Sequence, residues 1–485
     1  MNRELPSIKL NMLLNGIKGL MGVLFPLITY PYVSSILGVD NLGKYHFSNS
    51  IVSYALLVAG LGISTYAVRE GAKIRSDRAK INSFVCSMFT INLASTAVSY
   101  LLLALALITV PKLFDYRSII IILSLQIIFR TIGIEWIYSI YEDYLYITIR
   151  SIAFQLVSLV LLFVFVKEKT DTNAYALITV FSFGGSNILN FIHSRKYCDI
   201  KISLRASIKK HLKPIMILFA MAVTVTVYVS LDTTMLGFMC DDFTVGIYSV
   251  STKIYTIVKA VLSSVLVVAI PRLSAAVGKR DDKEFSNTAV DIFKTLITVV
   301  LPSITGIIIL RKEIVLLISN ASFAQASSSL AILGVALFSC LGAWFWGQCI
   351  LVPLNRENEL FFVTVVSAVA NVLLNMVLIP IWKENAAAIT TVIAETITMI
   401  WCWIKGKDYM KMRLVVGTFL KVVIGCITIV ACVELLRLAE LNMYIFIAVS
   451  IVVSIILYST IELLLGNTLI KNSVTTLFNK VKNIL

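Results

Sequence analysis

The chain has too few charged residues to cover the surface of a soluble protein of 485 residues. Asp, Glu, Lys and Arg make up 14% of it, against about 25% in soluble domains. Apolar residues reach 58%, against about 45–50% in soluble domains. Because so few charges cannot solvate the surface, the apolar excess must face lipid. We therefore expect an integral membrane protein.

Histidine, paired cysteines and a phosphate-binding loop are scarce or missing. The chain has three histidines, and its eight cysteines include no CxxC pair, so we expect neither a metal site nor a disulfide framework. It contains no G-x-x-x-x-G-K-[ST] motif, and its loops are too short for an attached nucleotide-binding domain. A membrane polymerase would need a larger outer loop for catalytic groups. We expect no catalytic residues.

Long apolar runs account for most of the chain. A membrane-spanning helix needs about 20 apolar residues, and backbone groups in lipid must be satisfied within the segment. The runs do not alternate as strands do, so we expect an all-α fold with fourteen transmembrane helices. The predicted spans are 10–36, 45–68, 83–110, 118–140, 144–166, 174–193, 214–238, 245–270, 287–310, 327–354, 360–381, 386–404, 414–436 and 443–466.

Basic residues are distributed unevenly between the two sets of loops. With the N-terminus inside, the inner segments carry 26 of the 42 Lys and Arg residues and the outer loops carry nine. The positive-inside rule then places both termini in the cytoplasm. This pattern explains the net charge of +15 by topology and attraction to anionic lipid. It gives no indication of nucleic-acid binding.

The start of the chain and its middle resemble each other. Leu37-Gly38, a short loop and Gly43-Lys44-Tyr45 correspond to Leu236-Gly237, a short loop and Gly246-Ile247-Tyr248. The offset of about 200 residues equals six helices, which predicts two six-helix lobes in a parallel pseudo-repeat, plus a C-terminal helix pair. The predicted domains are 1–200, 201–410 and 411–485.

Seven basic side chains fall inside the predicted spans, where an ionisable group normally faces a cavity or a partner. Some lie on polar helix faces, as Asn15 and Lys18 do on the first helix. Lys or Arg near a helix end can instead extend to the interface, an interpretation we prefer for Arg150. The substrate-binding candidates are Lys18, Arg130, Lys253, Lys259, Asn15, Lys294 and Lys421, of which Lys294 and Lys421 also lie near helix ends.

Buried carboxylates are fewer than buried cations, four against seven. A cavity with excess positive charge favours an anion, and phosphate suits Lys and Arg well. A carboxylate in a low dielectric can load and release a proton, which makes Asp232, Glu395 and Glu135 candidates for ion coupling. A structural ion pair with a buried lysine is the alternative for Asp232 and Glu395. Neutral polar rows, such as that on the eleventh helix, can be hydrogen-bonded helix seams instead.

Several motifs follow one another in a characteristic order along the chain. They are Pro26 to Ser34, Leu37-Gly38, Gly43-Lys44-Tyr45, Gly133 to Trp136, Glu142-Asp143-Tyr144, Ile147 to Ser151, Asp232, Met235-Leu236-Gly237, Asn371 to Pro380 and Ala386 to Glu395. In this order they resemble the bacterial O-antigen and polysaccharide flippases, members of the multidrug, oligosaccharidyl-lipid and polysaccharide exporter superfamily. The resemblance covers nearly the whole chain to about residue 466.

This resemblance implies a V-shaped transporter in the bacterial inner membrane. The implied substrate is an undecaprenyl-diphosphate-linked oligosaccharide, carried to the periplasmic leaflet by alternating access. We expect no cofactor beyond a proton or sodium as coupling ion, and a polysaccharide polymerase and chain-length regulator as partners. A cation-coupled drug or metabolite antiporter of the same fold is the alternative, followed by a membrane polysaccharide polymerase.

Overall fold

A computed structural model describes residues 8–202, 208–279, 281–467 and 469–471 of the protein. At positions 8, 9, 12, 15, 224, 225, 227, 228 and 229 the description covers the backbone alone. Within the described ranges every regular element is helical, as the sequence predicts.

The chain forms two compact units, Met1–Ser249 and Val250–Leu485. The predicted boundaries at residues 200 and 410 remain predictions. The first unit holds α1 (Ile8–Gly60), α2 (Ile63–Ile74), α3 (Arg78–Thr109), α4 (Arg117–Gly133), α5 (Glu135–Ile140), α6 (Tyr144–Phe165), α7 (Thr172–Val180), α8 (Ser186–His193), α9 (Ile208–Met239) and the start of α10 (Asp242–Gly278). The second holds the rest of α10 and α11 (Asp282–Ile309), α12 (Arg311–Ile318), α13 (Ala326–Trp344), α14 (Glu357–Gly406), α15 (Arg413–Arg437) and α16 (Met443–Leu464).

Eleven helical segments in the described ranges are long and apolar enough to cross a membrane. At 1.5 Å per residue α1 and α14 would be about 75–80 Å long, more than twice the roughly 30 Å apolar core of a bilayer. Each contains a non-helical residue, Gly38 in α1 and Lys383 in α14, so each is two helices joined at a kink. If α1 and α14 each count as two spans and α9 is added, the eleven segments accommodate the predicted fourteen spans.

Polar contacts hold the two halves of α14 together. The Ser367 and Thr398 hydroxyls lie 2.8 Å apart, and the Thr390 hydroxyl donates to Asn375 Oδ1 over 2.6 Å. The chain therefore folds back at Lys383. The polar row on the predicted eleventh helix is a hydrogen-bonded seam, as the sequence favoured.

Short acidic and amide residues begin several helices by accepting hydrogen bonds from backbone amides that lack a helical partner. Asp77 accepts from the amides of Ala79 and Lys80 at the start of α3. Asn442 does the same for Tyr444 at the start of α16. Apolar side chains remain exposed along the helices, as lipid-facing positions require. Examples are Leu101, Ile108, Ile427 and Leu435.

Two glycines, one in α1 and one in α10, allow these helices to approach each other closely. In the first unit, a Cβ on Gly43 would collide with the Asp242 carbonyl, and a Cβ on Gly246 would collide with the Val39 carbonyl. These glycines occupy matching positions in the two sequences that resemble each other. The two duplicated segments therefore pack reciprocally, each with a backbone carbonyl against the glycine of the other.

Candidate functional site

A polar cavity of about 470 Å³ lies inside the first unit, among helices with mostly apolar surfaces. Its walls come from α1, α4, α5, α6 and the segment from Phe181 to Asn187. Three cations, Lys18, Arg130 and Arg150, and one carboxylate, Glu135, line it. The charged groups in this wall therefore carry a formal net charge of +2.

A break in the fourth predicted span positions Glu135. The sequence predicted a continuous helix over 118–140, but Ile134 has φ 36° and ψ 40° and separates α4 from α5. This left-handed conformation is strained for a β-branched residue. The break turns Glu135 so that its carboxylate lies 2.5 Å from Lys18 Nζ and 3.9 Å from Arg150 Nη2. One carboxylate is thus shared by two cations.

Arg150 is buried, although the sequence favoured a side chain extending from a helix end. Its side chain is 6% exposed. Its Nη1 donates to the Ser186 carbonyl over 2.9 Å and to Asn187 Oδ1 over 3.5 Å. Both acceptors follow the π-helical turn Phe181–Gly185, a kind of distortion that is frequent at functional sites. The interpretation of Arg150 as an interfacial residue is wrong, because its guanidinium faces the cavity.

Arg130 lies between this cavity and a smaller one. The smaller cavity, of about 110 Å³, shares Arg130, Glu135 and Asn187 with the larger. Among the residues that the structure describes, Arg130 has no ion-pair partner within 4.0 Å. Its charge is therefore available to an anion that enters either cavity.

The second unit brings two other predicted residues together. Lys259 on α10 lies 4.0 Å from Glu395 on α14, and the Glu395 side chain is 9% exposed. Lys259 also lies over the ring of Tyr255. Lys253 is half-buried on the same helix. The ion-pair alternative for Glu395 is consistent with this geometry.

The structure also places the remaining predicted residues. The buried Asp232 accepts a 3.0 Å hydrogen bond from the Tyr248 hydroxyl. Lys421 donates to the Gly466 carbonyl over 3.2 Å, just beyond α16, where a cation is favoured by the helix dipole. Lys294 is half-buried on α11. The side chain of Asn15 lies outside the described residues.

The family model described as polysaccharide biosynthesis protein matches residues 9–277, which is more than half of the chain. The chain belongs to the polysaccharide biosynthesis protein family. The family predicted from the sequence motifs is confirmed. The matched segment contains every residue that lines the two cavities of the first unit.

Named relatives agree with membership of the polysaccharide biosynthesis protein family. A protein of Escherichia coli K12 that carries the provisional name O-antigen transporter is 21% identical over 402 residues, covering 81% of this chain and 95% of the relative. The lipid II flippase MurJ, in an inward closed conformation, matches with a TM-score of 0.72, 15% identity and coverage of 96% of this chain and 100% of its own.

A multidrug resistance MATE family transporter of the MOP superfamily, in an inward-facing conformation, also has a similar fold. Its TM-score is 0.61 at 15% identity, with coverage of 83% of this chain and 98% of its own. The polysaccharide biosynthesis protein described here is therefore a multi-pass membrane protein with the fold of these transporters. The all-helical fold predicted from the sequence is confirmed.

The cavity residues of this family member that sequence reasoning missed include Arg150, Gln155, Ser182 and Asn187. A signal for Gln155 was present. Ser151, Gln155 and Ser158 recur at i, i+4 and i+7, which places them on one helix face. Ser182 and Asn187 lie across the π-helical turn, where a regular helical period no longer indicates which residues share a face.

Proposed function

We propose that this protein is a flippase that moves an undecaprenyl-diphosphate-linked oligosaccharide from the cytoplasmic to the periplasmic leaflet of the bacterial inner membrane. The observation that carries the proposal is the cavity of the first unit, where three cations face one carboxylate inside an apolar helical body. A diphosphate supplies the negative charge that these cations lack. The names of the E. coli relative and of MurJ support the same class of transport.

The lipid tail stays in the bilayer in this proposal. Extracting a polyprenyl chain would cost about 0.8 kcal/mol for each methylene group, which is prohibitive over a long chain. The protein therefore binds the diphosphate and sugars while the tail remains between lipids. Transport then proceeds by alternating access, and the protein makes and breaks no covalent bond.

Ion coupling is part of the proposal. A proton or sodium ion would bind when Asp232, Glu395 or Glu135 changes its partner during the cycle. Glu135 is well suited, because an entering anion competes with it for Lys18 and Arg150. No other cofactor is proposed.

The cellular setting follows from the charge pattern. The excess of basic residues in alternate loops supports an orientation with both termini in the cytoplasm. We propose that the exported unit passes to a polysaccharide polymerase and a chain-length regulator. A drug antiporter for organic cations is less well supported, since the cavity has excess positive charge.

Transport of a fluorescent polyprenyl-diphosphate sugar in reconstituted vesicles tests the proposal. The parent protein should carry the sugar across the vesicle membrane to the outer surface, where an added reagent reacts with it. Lys18→Ala and Arg130→Ala should each lower the rate about tenfold or more, since hydrogen bonds to charged groups contribute about 1.5–3 kcal/mol. Lys283→Ala and Arg272→Ala, at exposed positions, are the matched controls.

Two results would contradict the proposal. One is parent-like transport by both cavity variants in vesicles with equal protein content. The other is parent protein that transports organic cations but no diphosphate lipid. In cells, deleting the gene should make lipid-linked repeat units accumulate in the inner leaflet.

A further inference from the structure

Four buried polar atoms belong to residues that line the cavity and lack a hydrogen-bond partner among the described residues. They are Gln126 Nε2, Arg150 Nε, Gln155 Oε1 and Ser182 Oγ. All four residues line the same cavity. A buried polar group without a partner costs about 1–3 kcal/mol, so four of them around one cavity favour a ligand or water that satisfies them.

The backbone around the cavity holds these atoms in place. Arg150, Gln155 and Ser182 are only 7%, 8% and 5% exposed. Arg150 is fixed by its bond to the Ser186 carbonyl, and Ser182 is carried by the π-helical turn. Side chains so enclosed are already positioned for a ligand, and little side-chain freedom remains to be lost on binding.

The donors and acceptors in this group do not match an anion alone. A phosphate oxygen only accepts hydrogen bonds, so it can satisfy Gln126 Nε2 and Arg150 Nε. The carbonyl oxygen of Gln155 requires a donor, and the Ser182 hydroxyl can donate or accept. Sugar hydroxyl groups, which also do both, are complementary to all four atoms.

We propose that Gln126, Gln155 and Ser182 form a subsite for an uncharged sugar attached directly to the diphosphate. This inference rests on the proposed function and adds the residues that recognise the sugar. Lys18 and Arg130 hold the diphosphate, and Arg150 links the two regions. Its Nη2 lies 3.9 Å from Glu135, and its Nε lacks a partner in the cavity wall.

Binding to the purified full-length protein separates the two parts of the site. One probe is farnesyl diphosphate. The others are the same lipid diphosphate carrying a single glucose, galactose or N-acetylglucosamine. At least one glycosylated probe should bind the parent about tenfold or more tightly than the bare diphosphate, because several buried hydrogen bonds are formed.

The variants Gln126→Leu, Gln155→Leu and Ser182→Ala should each weaken binding of that glycosylated probe about fivefold to tenfold. The affinity of Gln155→Leu and Ser182→Ala for farnesyl diphosphate should stay within about twofold of the parent value, since hydrogen bonds to charged groups, the main source of that affinity, are retained. Lys18→Ala should weaken both. Gln348→Leu, at an exposed glutamine, is the matched control.

The inference is overturned if no sugar improves binding, if the three variants leave the gain intact, or if they weaken both probes equally. If the parent protein binds neither class of probe, the proposed function fails together with the subsite. Elution of each variant as a single species in size-exclusion chromatography confirms that it is folded.

Discussion

Removing the negative charge of Glu135 should strengthen binding of a diphosphate. Its carboxylate lies 2.5 Å from Lys18 Nζ and 3.9 Å from Arg150 Nη2. An anion in hydrogen-bond contact with Arg150 would lie roughly 6 Å from it, since such a bond is about 2.8 Å long. The two charges would then repel each other, and Glu135 would compete for the same cations.

Coulomb's law gives the size of this repulsion. At 6 Å it is roughly 2.8 kcal/mol per unit charge at an effective dielectric constant of 20, and roughly 0.7 kcal/mol in water. The side chains of Lys18 and Glu135 are 37% and 46% exposed, which favours the lower part of this range. We expect Glu135→Gln to lower the Kd for farnesyl diphosphate about fivefold, which corresponds to the loss of roughly 1 kcal/mol of repulsion.

Titration calorimetry at low salt measures this change. Glu284→Gln is the control, because Glu284 has a similar side-chain exposure of 44% and pairs with a lysine, Lys279, at the surface. The Kd of Glu284→Gln for farnesyl diphosphate should equal that of the parent. An unchanged or weaker Kd for Glu135→Gln would refute the view that this carboxylate competes with the anion.

Three other changes test the structure. Gly43→Ala should lower the free energy of unfolding by about 1–3 kcal/mol, because the added Cβ overlaps a backbone carbonyl. Gly60→Ala is the control, since Gly60 has open space around it. Equal melting temperatures for the two variants would contradict this packing. The backbone amide and then the ammonium of Lys80 hold the pKa of Asp77 below its usual value, so its stabilisation is complete at neutral pH and is lost as the pH falls through the native pKa. At pH 7 the melting temperature of Asp77→Ala should therefore be lower than that of the parent, and the two values should become equal in acid. A series of thermal melts at different pH measures this difference. A difference that does not change with pH would refute the role of Asp77. Asp232→Asn should alter the pH or sodium dependence of transport in vesicles, and an unchanged profile would remove Asp232 from the coupling role.

The sequence predicted the features that depend on hydropathy and periodicity. Long apolar runs correspond to helices, and Lys18 and Arg130 lie in one cavity because each occupies a polar face of an apolar helix. The reciprocal contact of Gly43 and Gly246 likewise agrees with the resemblance between the two turns. These features follow from local sequence.

The partners of these residues could not be predicted in the same way. Glu135 reaches Lys18 because the backbone breaks at Ile134. Gly133 precedes the break, but the residue in the left-handed conformation is the β-branched Ile134, which sequence propensity does not favour there. Arg150 lies six residues after the start of α6, a position that equally suits an interfacial side chain. Its burial depends on the Ser186 carbonyl from another helix. Tertiary contacts decide both cases.

The reciprocal packing of α1 and α10 restricts how the chain can vary during evolution. Asp242 and Val39 each present a carbonyl to the glycine of the opposite helix. An extra residue before either glycine would move it away from the carbonyl that it accommodates. Homologues that lengthen one segment should therefore carry a compensating change in the other, so that the two segments are inherited as a matched pair.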